Sequence, residues 1–137
     1  MCAGGRPEET EYGVRIHEAA HSDAYLQKKG KVRGYTVVIW RGRHVAEPTE
    51  LSADDATAYW REVLEVAKAL DDQYRPHKLN IEILGNTTPH LHTHLRPRHR
   101  EDPNPFGPLA FDADYPPFPE AQLRADAAAL RARLTRE

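Results

Sequence analysis

"HKLNIEILGNTTPHLHTHLRPR", residues 77–98, is the stretch on which the fold turns. Its first half alternates, with Leu79, Ile81 and Ile83 on one face and Asn80, Glu82 and Leu84 on the other, which predicts a strand ended by Gly85-Asn86. After the loop "GNTTP" the alternation resumes with His90, His92 and His94 set against Leu91, Thr93 and Leu95. Residues two apart share a face of extended chain, about 7 Å apart at successive Cα atoms, whereas a helix would scatter the three rings around its circumference. The histidines are therefore expected side by side on one strand.

Upstream, "EYGVRIHE" predicts a strand with Tyr12, Val14 and Ile16 on one face and Gly13, Arg15 and His17 on the other. A short strand is expected over residues 24–27, and the β-branched, aromatic "YTVVIW" (35–40) reads as a central one. The period then changes to 3.6. In "ELSADDATAYWREVLEVAKALDDQY" the residues Ala56, Tyr59, Trp60, Val63, Leu64, Ala67, Leu70 and Tyr74 form an apolar stripe, Ser52 is placed as N-cap and Pro76 ends the run. Six prolines between Pro103 and Pro119 force an irregular wrap over the surface. A closing helix follows, with Leu123, Ala127, Leu130 and Leu134 as its apolar face and its arginines on a solvated face or a dimer rim. Strands, helix, strands and helix in this order indicate an α+β domain with an antiparallel sheet over residues 11–137, preceded by a loose arm over residues 1–10.

The chain has 137 residues and a formal net charge of -2, so it lacks the basic footprint of a nucleic-acid binder and its partner is expected to be small. Cys2 is the one cysteine, which excludes an internal disulfide and fits a reducing compartment; the cytoplasm is expected. The longest apolar run, residues 35–40, is too short to span a membrane, and "MCAGGRPEETE" lacks the pattern of a signal peptide.

Three chemistries suit alternating imidazoles. Neutral histidines ligate zinc or copper, although a span of about 13 Å between the outer Cα atoms is wide for one tetrahedral shell. A bare ring nitrogen can instead attack phosphorus while its neighbours donate to phosphate oxygens. The bland reading is a row of solvent-facing or satisfied core side chains. The loop Gly85, Asn86, Thr87 and Thr88, with Arg96, Arg98 and Arg100 beyond the strand, favours an anionic ligand. His17, His21, His77 and His99 read as structural or surface residues, and Tyr59 and Trp60 as core.

These residues resemble the histidine triad (HIT) family of nucleotide hydrolases and transferases, whose mark is His-x-His-x-His with mostly apolar intervening residues. The likeness covers about residues 12 to 100 through "GYTVVIWRGRHVAEPTELS" and "LNIEILGNTTPHLHTHLRPR", and is nearest to the branch related to diadenosine polyphosphate hydrolases. The resemblance implies a HIT-like fold, namely a five-stranded antiparallel sheet with one long central helix and a C-terminal helix, usually paired in a homodimer with a sheet continuous across the interface. It implies that His92 attacks the α-phosphorus to form a nucleotidyl-histidine, that His94 hydrogen-bonds the phosphate or bridging oxygen, and that His90 orients the nucleophile. Asn80, Asn86 and Thr87 fall at positions near the phosphate, and Gln27 at the position of a ribose ligand. No cofactor is required by such a scheme, and the partner is a small nucleotide rather than nucleic acid or membrane.

Some relatives hold zinc through two cysteines and two histidines. Here Cys2, His44 and His90 match three of those positions and Gly5 stands at the second cysteine's. Arg96 stands where an apolar residue is usual, and Trp40 where a proline is common. A zinc-dependent hydrolase and a non-catalytic nucleotide-binding module remain the competing functions at this point.

Overall fold

The structure, a computed structural model, describes residues 5–109 and 115–135. Five strands, β1 (Gly13–Glu18), β2 (Ser22–Gln27), β3 (Thr36–Trp40), β4 (Lys78–Glu82) and β5 (His92–Arg98), form one antiparallel sheet in the order β1-β2-β3-β5-β4. Helix α1 (Ala53–Tyr74) lies between β3 and β4 in sequence, and α2 (Glu120–Leu134) closes the described chain. The expected α+β architecture is what the chain adopts.

Alternation divides the sheet into two faces. Val14, Ile16, Ala24, Leu26, Val38, Trp40 and Leu95 turn towards the helices and pack with Tyr59, Val63, Val66, Leu70, Leu123 and Leu130 in one core. The opposite face carries a smaller cluster of Tyr25, Val37 and Ile39, with Tyr35 against it. In the register of β3 with β5, Ile39 lies opposite His92 and Val37 opposite His94, so both imidazoles share this second face.

Helix α1 starts where its cap allows: the Ser52 hydroxyl accepts from the Asp55 N–H at 3.1 Å. It ends at Arg75 in the left-handed region (φ 50°) just before Pro76. The buried stripe is narrower than the sequence suggests. Tyr59, Val63, Val66, Ala67 and Leu70 are buried, but Trp60 and Leu64 are 44% and 43% exposed and Ala56 faces solvent. Spacing of three and four admits either flank of a stripe, and here the flank holding Val66 and Ala69 meets the core. Tyr12 also departs from expectation: it precedes β1 and is 66% exposed.

Residues 5–10, the described part of the segment expected as a loose arm, lie along the sheet. The Arg15 N–H donates to Glu8 O at 2.8 Å, Glu9 pairs with Val14, and the Glu9 carboxylate binds Lys28 and Arg124. The Tyr25 hydroxyl donates to Pro7 O at 2.6 Å. Ion pairs invisible to hydrophobic patterning thus cover the β1 edge. On α2, Asp126 accepts both Arg33 nitrogens at 2.8 Å and the Tyr74 hydroxyl at 3.0 Å, and the helix's arginines bind this chain, Arg131 at Arg15 O and Arg133 at Gln73.

In the described part of the proline-rich segment, the Phe118 N–H donates to Lys28 O. Its start is organised by Arg98, expected to add positive potential but in fact buried. Its guanidinium donates to Asn80 Oδ1 (2.9 Å), Gly107 O (2.6 Å), Pro103 O (2.9 Å), Asn104 O (2.8 Å) and Asp102 Oδ2 (3.2 Å). One cation here serves three backbone carbonyls and two side-chain oxygens, so removing it takes a donor from several acceptors at once. Arg98→Ala is expected to cost about 3 kcal/mol, read as a lower urea midpoint with an unchanged slope.

Candidate active site

The strand that carries the histidines begins at His92, so the expected row of three on one strand is corrected to two on the strand and one in the bend before it. The bend has a chemical use. With residue 90 out of the strand, its carbonyl turns to the next ring but one, and His92 Nδ1 lies 2.6 Å from His90 O. A carbonyl only accepts, so Nδ1 carries the proton and Nε2 has a bare lone pair. His90 is buried too, its Nε2 donating to Trp40 O at 2.7 Å.

His94 follows on the same face, its ring centroid 4.9 Å from that of His92 at 69°. Its Nδ1 lies 2.7 Å from the Tyr35 hydroxyl, and the Tyr35 ring lies nearly parallel beside it. Arg96, next on this face, sits 4.2 Å over the Tyr35 ring and is held by Glu82 at 3.1 Å. Burial first, then the neighbouring His92 and Arg96, push the His94 imidazole from its ordinary 6.5 down to about 4. His90 moves the same way, lowered by burial and by His44 and Arg41 against the opposing bond to Trp40 O.

The remaining residues expected at the site divide. Asn80 lies on the histidine face, opposite Arg96, with its side-chain oxygen engaged by Arg98. Asn86 and Thr87 are exposed in the loop before His90, where Gly85 takes the left-handed region (φ 76°). Gln27 ends β2, but its amide folds back to donate to Tyr25 O at 3.0 Å instead of pointing outward. The other histidines are structural: His21 binds Glu62 and stacks on Trp40, His17 pairs with Glu65, and His77 and His99 donate to Pro105 O and Tyr74 O.

For a metal, the rings of His44 and His90 lie 5.5 Å apart and tilted by 53°. Cys2 lies outside the described residues. Among the described residues no group of three or more metal-binding side chains comes together, so they fall short of the three protein donors a catalytic zinc needs.

Sequence reasoning missed two features. Tyr35 belongs to the histidine cluster, which only its contact with the His94 ring reveals. Asp23, fully buried in the strand row shared by Ile39 and His92, is gripped by Arg6 at 2.8 and 2.9 Å and by Arg41 at 3.0 Å. These two guanidinium groups meet on one buried carboxylate, Arg6 reaching Glu18 at 3.8 Å as well, while Arg96 and Arg98, expected to raise the positive potential, are paired with Glu82 and Asp102.

A five-stranded antiparallel sheet with two helices on one face and closely packed histidines on the other defines a class, and comparison with known proteins agrees. The HIT domain family matches residues 9–101, and the chain belongs to this family. Protein hit of Bacillus subtilis (strain 168) is 29% identical over 91 residues, 63% of this chain; the match spans 62% of that protein. A histidine triad protein from Bradyrhizobium japonicum superposes with a TM-score of 0.83 at 22% identity, covering 90% of this chain and 92% of its own. A histidine triad nucleotide-binding protein from Sulfolobus tokodaii gives 0.70 at 21% identity, covering 89% and 83%. HIT proteins are generally nucleotide-binding proteins, hydrolases or transferases.

The depressed imidazoles link stability to pH. A ring whose pKa is lower in the fold than in the unfolded chain binds fewer protons when folded, so acid favours unfolding. For His94 the contribution is complete above 6.5 and lost as pH falls towards about 4, and His90 acts in the same direction. Denaturant titrations across that window should show falling stability, and His94→Gln should remove part of the slope.

Proposed function

We propose that the protein is a nucleotide phosphohydrolase or nucleotidyl transferase that cleaves a P–O–P or P–N bond at the α-phosphate through a nucleotidyl-histidine on His92. The observation that carries this reading is the His92 Nδ1 bond to the His90 carbonyl, because it leaves the lone pair of the neutral ring on Nε2, the nitrogen that would act as nucleophile. In the first displacement that pair forms an N–P bond. The bond from phosphorus to the leaving group breaks, and the leaving oxygen departs with the electron pair; an amine leaving group also takes a proton from water. In the second, water attacks phosphorus, the N–P pair returns to Nε2, and the water's proton passes to solvent. Another hydroxyl in place of water makes the same reaction a transfer.

His94 stands beside the nucleophile as a neutral ring able to donate to the phosphoryl or bridging oxygen. The Arg6–Asp23–Arg41 group places guanidinium N–H donors along the same face for a phosphate chain. His90 supports the nucleophile through its carbonyl and ties it to β3 through Trp40. Asn86 and Thr87, exposed in the loop beside the site, offer an amide and a hydroxyl to the leaving group, and Asn80 serves the phosphate from β4. Gln27 reaches a ribose only after releasing Tyr25 O. A dinucleoside polyphosphate is the substrate class suggested by the branch it resembles. The cytoplasm suits the single-cysteine chain, in which no described helix is long and apolar enough to cross a membrane.

Replacing His92 by Asn is the decisive test. The protein mixed with a panel of nucleotides and examined by mass spectrometry should retain a nucleotide on the His92 peptide, and His92→Asn should lose the adduct and at least about 10⁴-fold in turnover. Unchanged turnover in the variant, or none in the parent, would sink the reading.

Pairing of two copies belongs to the same proposal. The β1 edge is covered by residues 8 and 9, whereas among the described residues β4 pairs only with β5, and Ile81, Ile83 and Leu84 around it are 39%, 39% and 49% exposed. An uncovered edge bearing apolar side chains favours strand pairing with a second copy. Sedimentation should report a dimer for the parent and a monomer for Ile83→Asp combined with Leu84→Asp.

A further inference from the structure

The rings of His92 and His94 touch, yet their Nδ1 atoms face partners of opposite hydrogen-bonding character. His92 Nδ1 meets a backbone carbonyl, which can only accept. His94 Nδ1 meets the Tyr35 hydroxyl at 2.7 Å, and a phenol facing an imidazole lone pair is the better donor of the two, since the ring nitrogen is far more basic than the phenol oxygen. We propose that Tyr35 is a positioning residue for His94: its O–H donates to Nδ1 and holds the ring in the tautomer with the proton on Nε2, so that the bare nitrogen of His92 stands beside a protonated nitrogen of His94. Nucleophile and donor are thus told apart by their partners, not by their own chemistry. The inference rests on the reading of His92 as nucleophile and goes beyond it, because it assigns a role to a residue outside the triad.

Two further observations support the assignment. Tyr35 is half-buried and its phenol is raised above its usual range, burial being the larger cause and Arg96 acting the other way, so the O–H stays protonated at neutral pH. Arg96 lies over the phenol ring, 4.2 Å from its centroid, with its guanidinium held by Glu82. A cation on the ring face draws electron density from the phenol and strengthens it as a donor while holding the ring in place. Arg96, the residue that breaks the apolar pattern after the histidines, therefore gains a purpose through Tyr35. The Glu82 carboxylate, opposite His94 in the register of β4 with β5, completes the chain Glu82–Arg96–Tyr35–His94.

The tautomer can be read without any substrate. Long-range 1H–15N correlation spectra of the uniformly 15N-labelled protein at neutral pH distinguish protonated from bare ring nitrogens. The parent should show His94 with Nε2 protonated and Nδ1 bare, and His92 with the reverse. Tyr35→Phe keeps the ring and removes one hydroxyl; it should give a mixture of His94 tautomers and slow nucleotidyl-His92 formation about 3- to 10-fold, the worth of one neutral hydrogen bond. A packing defect alone would slow the reaction without altering the tautomer. His94 protonated at Nδ1 in the parent, an unchanged tautomer in Tyr35→Phe, or an unchanged rate would each overturn the proposal. Failure of the nucleophile reading looks different: the parent then forms no adduct, while the spectra still decide what Tyr35 does.

Discussion

The 2.6 Å bond from His92 Nδ1 to the His90 carbonyl decides which nitrogen of His92 carries the proton and which the lone pair. A histidine in water exchanges between two tautomers, and a nucleophile needs one of them. Selecting it through the main chain has a structural condition, because the carbonyl of residue 90 must turn away from the ladder. The strand accordingly begins at His92, and the backbone at positions 90 and 91 is satisfied elsewhere. His90 N–H donates to Thr88 O, Leu91 N–H to Val45 O, and Leu91 O accepts from Trp40. The loop, the strand start and the tautomer form one arrangement.

Behind that arrangement lies a pin through the core. Thr93, between the two strand histidines and on the opposite face, lies 2.6 Å from the Tyr59 hydroxyl, which in turn donates to Val38 O at 3.2 Å. With one proton on each hydroxyl, Thr93 donates to Tyr59 and both groups are satisfied. The pin joins α1 to β3 and β5 directly beneath the rings, and leaves the backbone under His92 and His94 little freedom to slide. A one-residue slip of β5 would also turn both imidazoles into the apolar core. Register here protects the chemistry as firmly as it protects packing.

Features encoded in periodicity were legible from the sequence. The alternation at 79–82 and 92–95, the helical period, the Ser52 cap and Pro76 as a terminator all follow from single-residue geometry, whereas the expected strand up to Gly85 stops at Glu82. What stayed hidden depends on which residues meet. Trp60 and Leu64 fit the helical period, but the stripe's width is set by the sheet beneath it. Arg98 looks like any cation after a strand until five acceptors surround it. Tyr35 is one aromatic residue at the start of "YTVVIW", and nothing local connects it with a histidine 59 positions later. The grip of Arg6 and Arg41 on Asp23 joins three separate segments, none with a pattern of its own.

The departure at Trp40 shows how a change in one residue can be carried by its backbone. A proline, common at this place in the family it resembles, has no N–H. Here Trp40 N–H donates to Leu91 O at 3.1 Å, extending the β3–β5 ladder one step past its last strand pair, Ile39 with His92. The same residue's carbonyl takes the proton of His90 Nε2 at 2.7 Å. Its indole is buried, crosses Tyr59 edge-on at 5.8 Å and donates to Arg43 O, which fastens the turn leading to His44. One side chain and one peptide unit thereby fix β3 against the bend that presents the His90 carbonyl. The cost of the substitution is bulk at the sheet's end, and Gly42 accommodates it: a Cβ there would lie 2.2 Å from the Trp40 ring, so this turn admits no larger residue while the tryptophan stays.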